Sequence, residues 1–175
     1  MKLASSRMFR CVLLAVTSTV LMTVVMRGAP NRGSLTRGVY AVLREGLTRE
    51  EAQPAGKAPH VTLLYNQKYS EADRKEPPKY VALDTSFFVP LVLAGPPETR
   101  KVDRGWTQLN VRLAPEHVKT LEDFTRAHLG GRVAIVIDGE IITMHTVRSV
   151  IEGGDVLISR CQDDACQVLR MKLAK

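Results

Sequence analysis

The sequence predicts an α+β fold, a mostly antiparallel sheet with helices on one face, following an N-terminal membrane anchor or signal peptide. Three observations carry this. Asp138 and Gly139 separate two β-branched runs, residues 132–137 and 140–147, and an Asp-Gly pair in that setting is a strong hairpin signal. Residues 116–129 repeat apolar side chains at helical spacing behind Pro115 and end at Gly130. Residues 11–26 carry no charge and follow a decapeptide with three positive ones, the layout of a topogenic segment.

The net charge of +7 belongs to that first part of the chain. Residues 1–44 hold seven basic residues and no acid, whereas residues 45–175 hold 18 of each sign. The folded part therefore offers no net field to a nucleic acid, and none is expected as a partner. Arg7 and Arg10 hold the N-terminus inside, so the remainder is expected on the outer side of a membrane. The uncharged run is shorter than an ideal span, and no clean small-residue cleavage motif follows it. An uncleaved anchor through residues 11–26 and a cleaved signal peptide both remain open. The expected organisation is 1–30 anchor or signal, 31–78 spacer and N-terminal α/β segment, and 79–175 α+β domain.

Taken in order, residues 39–43 and 61–65 read as short strands. Between them, residues 47–53 suggest a short helix, with Thr48 and Glu51 spaced as a capping box. Residues 68–79, charged and containing Pro77-Pro78, read as a loop. Residues 80–84 and 87–93 read as strand pieces, broken by Pro90 and by Gly95-Pro96-Pro97. Residues 105–113 alternate Trp106, Gln108, Asn110 and Arg112 with Thr107, Leu109, Val111 and Leu113, a half-buried strand. In the helix that follows, Val118, Leu121, Phe124 and His128/Leu129 form the apolar face. Gly153-Gly154 breaks the chain after the hairpin, 156–159 is a strand, and 163–174 is a closing helix.

No constellation for chemistry emerges. His60, His117, His128 and His145 lack ligand spacing, so neither metal nor cofactor is assigned. No nucleophile motif occurs, turn chemistry accounts for Asp138, and no small-molecule substrate is evident. Cys161 and Cys166, an even pair in the exported part, are candidates for a disulfide. Trp106, the single tryptophan, is expected to pack at a core or sheet edge.

Residues 113–143, from Leu113-Ala114-Pro115-Glu116 through Gly130-Gly131-Arg132 to Asp138-Gly139, followed by Ile151-Glu152-Gly153-Gly154 and Ile158-Ser159, resemble the periplasmic head of SecD, a subunit of the Sec preprotein translocase. The resemblance covers about residues 79–173 and marks Pro115, Gly130, Arg132, Asp138, Gly139, Gly153 and Gly154 as structural residues. It implies a SecD-head-like α/β sandwich and a non-catalytic role in translocation. It also implies unfolded secretory polypeptides and Sec translocase subunits as partners, and a place at the inner membrane, facing the periplasm. The sequence departs from the pattern at Arg160, where the family has Gly, at Met144-His145-Thr146, and at Ala114, which cannot cap a helix through its side chain. Ending at Lys175, the sequence is expected to lack the proton-driven membrane half. A structural envelope domain without a Sec association is the alternative.

Overall fold

A computed structural model describes residues 35–66, 77–102, 106–161 and 164–174, of which the side chains at 102, 106, 158–161 and 164–165 are not described. The anchor or signal segment and residues 68–76 of the loop expected at 68–79 lie outside the described residues, and Lys79 already begins a strand. Residues 32–175 form one compact unit. The elements run β1 (Gly38–Gly46), β2 (His60–Tyr65), β3 (Lys79–Pro90), β4 (Glu98–Val102), β5 (Trp106–Arg112), α1 (Pro115–Ala127), β6 (Arg132–Ile137), β7 (Glu140–Thr146), β8 (Asp155–Cys161) and α2 (Asp164–Leu173).

The α+β class is as expected, with every strand pairing antiparallel. The strands nevertheless divide into two sheets, ordered β2-β3-β1-β6-β7 and β4-β5-β8, where one sheet was expected. In the larger sheet the central strands are buried on both faces, which is why they read as continuous apolar runs. Val39, Ala41, Val133, Ile135 and Ile137 enter one core, and Tyr40, Val42, Ala134 and Val136 enter the other. The first core is closed by Leu121 and Phe124 of α1, Leu169 and Leu173 of α2, and Leu109 and Val111 of β5, so helices and small sheet cover one face. The second core draws on both outer strands, through Val61, Leu63 and Tyr65 of β2 and Ile141 and Met144 of β7. These two strands approach one another, so the sheet curls around that core. Inside it the Tyr40 ring stacks on Phe88 at 4.8 Å, and its hydroxyl donates to the Thr36 carbonyl at 2.7 Å.

The division drawn between residues 78 and 79 falls inside this sheet, because β1 lies between β3 and β6. The helix expected at 47–53 is a turn. Its capping box does form: Glu51 N donates to Thr48 Oγ1 at 3.2 Å, and Thr48 N donates to Glu51 Oε2 at 3.3 Å. Pro54 then disfavours helical backbone at Gln53, leaving one turn that cannot propagate. The pieces expected at 80–84 and 87–93 are joined in β3, which ends at Pro90. Between the two expected pieces the β1–β3 register jumps from Val42↔Leu83 to Tyr40↔Phe88. Asp84 Oδ1 accepts from Ser86 N at 2.8 Å within the inserted residues.

Candidate interaction surface

The residues singled out by motif are joints between elements. Pro115 occupies the first turn of α1 behind Ala114, whose φ of −58° and ψ of 143° are those of an N-cap but which gives no side-chain bond. α1 ends at Ala127 with His128 as its C-cap, and Gly130, expected as the stop, lies three residues beyond the helix at φ +79°, its N–H donating to Val147 O at 2.8 Å. Asp138 (φ 55°) and Gly139 (φ 73°) make the hairpin turn. Gly130 and Gly139 flank opposite ends of β6, so these residues do not converge on one site. Gly153 and Gly154 turn into β8 with φ of 73° and 79°, and a Cβ on Gly154 would lie 2.7 Å from Val118 Cγ2. Arg132 pairs with Glu45 of β1, tying the start of β6 to the end of its neighbour.

One role escaped sequence reading. Lys172 Nζ, in the last turn of α2, lies 3.2 Å from Asp138 Oδ2 and 3.7 Å from Glu140 Oε2. The turn carboxylate thus also clasps the closing helix. Nothing local in the sequence signals this, because 34 residues separate the partners.

The histidines are dispersed, and no group of metal-ligating residues occurs among the described residues. His60 bonds Gln53 Oε1 at 3.0 Å, and His128 Nδ1 donates to Phe124 O at 2.8 Å. His145 is the histidine whose environment shifts its titration. It sits half-buried on β7, 3.2 Å from Thr143 Oγ1, and burial, aided by the positive charge of Arg132, pushes its pKa below the ordinary value. Leu129, expected on the apolar helix face, lies past the end of α1 and is exposed. Cys166 is buried and disulfide-bonded, while the side chains of Cys161 and Trp106 lie outside the described residues.

What the fold leaves open is a sheet edge. The outer strands of the large sheet approach each other. In the small sheet, among the described residues, β4 and β8 each pair with β5 alone, and on β4 Glu98 to Lys101 are exposed. Sequence reading missed β4 because a strand without a buried face shows no apolar alternation. Its charged side chains, Glu98, Arg100 and Lys101, hinder self-association of edges yet leave backbone groups for an incoming strand. Beside it, Arg112 holds Asp155 across the β5–β8 pair at 2.8 and 3.2 Å, and this bond keeps the Asp155 carboxyl below its usual pKa. An open groove of about 580 Å³ lies at the segment joining β3 to β4, lined by Leu91, Val92, Leu93 and Pro96 together with Arg37 and Leu173. An exposed strand edge of this kind presents main-chain N–H and C=O groups that no neighbouring strand satisfies.

Residues 97–173, fewer than half of the chain, match the family model described as SecDF, P1 head subdomain. The protein translocase subunit SecDF of Thermus thermophilus is 39% identical over 54 residues, which are 31% of this chain and 7% of that protein. The chain thus spans a small part of that relative's length. Among solved structures, SecDF in a super-membrane-facing form is 20% identical with a TM-score of 0.46, covering 78% of this chain and 18% of that one. A structure of SecDF as a membrane component that enhances protein export is 22% identical with a TM-score of 0.47, covering 79% and 62%.

Proposed function

We propose, on the premise that residues 97–173 form a SecD-type head subdomain, that this chain assists protein translocation by transiently binding unfolded exported polypeptide. The match over 97–173 carries the reading, and the one-sided pairing of β4 supplies the physical means. An unfolded chain presents unpaired N–H and C=O groups whatever its sequence, and an exposed strand edge satisfies them reversibly. The reading assigns the chain no catalytic step. It places residues 32–175 on the periplasmic side, tethered through residues 11–26 or released after cleavage, with Sec translocase subunits as partners.

Affinity purification of the tagged, detergent-solubilised protein tests this. Recovery of Sec channel subunits or of unfolded secretory chains is the expected result. Their consistent absence overturns the reading in favour of an envelope domain that keeps the fold without a Sec association.

A further inference from the structure

The disulfide at Cys166 has an assignable partner and a mechanical role. The chain has three cysteines. Cys11 begins the uncharged run near the N-terminus, outside the described residues. Cys161 ends β8, where its backbone stands opposite Thr107 of β5. Cys166 Sγ lies 3.7 Å from the carbonyl oxygen of that same Thr107, a packing contact, since a disulfide sulfur carries no proton. The ladder from one side and the helix from the other thus bring the two cysteines to one residue. We infer that Cys161 is the partner of Cys166 and that the bridge staples the first turn of α2 to the small sheet.

The staple matters because of how α2 is otherwise held. Its buried side chains beyond Cys166 are Leu169 and Leu173, and among described residues its ion pairs come from Lys172. Among the described residues these hold the middle and the last turn, and the bridge adds a covalent tie at the first. Leu169 and Leu173 close the core against Leu109 and Val111. Opening the bridge therefore loosens a lid on that core. A dithiol reductant supplies two electrons and two protons, the S–S bond breaks to two thiols, and the reductant becomes the cyclic disulfide.

The test uses the full chain. Peptide mapping after alkylation without reductant should find Cys161 and Cys166 in one linked species, with Cys11, where the N-terminal segment is retained, alkylated. Hydrogen exchange with and without dithiothreitol should then show amides of 164–173 exchanging at least tenfold faster on reduction, with 132–146 unchanged. A Cys161→Ser/Cys166→Ser variant should reproduce the reduced pattern without dithiothreitol. A bond between Cys166 and Cys11, or alkylation of Cys161 before reduction, overturns the pairing. Exchange in 164–173 that reduction leaves unchanged overturns the staple. None of these outcomes depends on whether the protein binds polypeptide.

Discussion

At the scale of single residues, Gly154 shows how backbone conformation and packing demand one amino acid. Its φ of +79° suits glycine, and a Cβ there would press on Val118 Cγ2. Gly154→Ala should lower stability by about 1–3 kcal/mol. Gly56→Ala, at a position with open space, should stay within about 0.5 kcal/mol. Urea denaturation of both variants checks the contrast. His145 makes a different kind of demand. Its pKa is lowered from 6.5 in the folded state, first by burial and then by Arg132, so between the folded value and 6.5 the unfolded chain binds the extra proton. Stability should therefore fall as pH drops below about 6.5. His145→Gln should lose that part of the dependence, which denaturation at pH 7.5 and pH 5 would measure. A variant whose stability changes with pH as the parent's does would show that His145 does not titrate differently on unfolding.

At the scale of elements, the hairpin and α1 were legible because their signals are local. Asp138-Gly139 and Pro115 with Gly130 determine their own backbone within a few residues. The joints between elements were not legible, since they are made by residues far apart in sequence. Thr125 is the clearest case. Buried on α1, its Oγ1 donates to Leu121 O at 2.9 Å and accepts the Ile151 N–H at 3.0 Å, holding the segment before β8 against the helix. A Thr in this position reads from sequence as a neutral helix residue. Thr125→Val should cost about 1–3 kcal/mol by leaving the Ile151 N–H unpaired, and Thr125→Ser should restore most of it. Thermal melts of the two variants decide the point. The failed helix at 47–53 teaches the converse: its capping box formed, but a cap without room to propagate makes only a turn.

At the scale of the whole molecule, the class was readable and the partition into sheets was not. Local alternation identifies a strand but not its neighbour, so β5 and β8 were placed with β6 and β7 although they form the small sheet with β4, β5 at its centre. The candidate surface suffered most, because β4 is exposed and charged and sends no periodic signal. β1 likewise reads as a short strand in a poorly patterned segment, yet it is central, buried on both faces between β3 and β6. A fragment of residues 32–175 should therefore melt cooperatively, whereas one of residues 79–175, without β1, should not. Cooperative melting of the shorter fragment would mean that the smaller sheet and its helices suffice.

The central claim is that the β4 edge receives an extended polypeptide, and site-specific photocrosslinking tests it most directly. A photoreactive residue replacing Thr99 on β4 should crosslink to a secretory chain arrested during export. The same probe replacing Asp123, on the exposed face of α1, should crosslink far less. Equal labelling from both positions, or none from Thr99, would contradict the account.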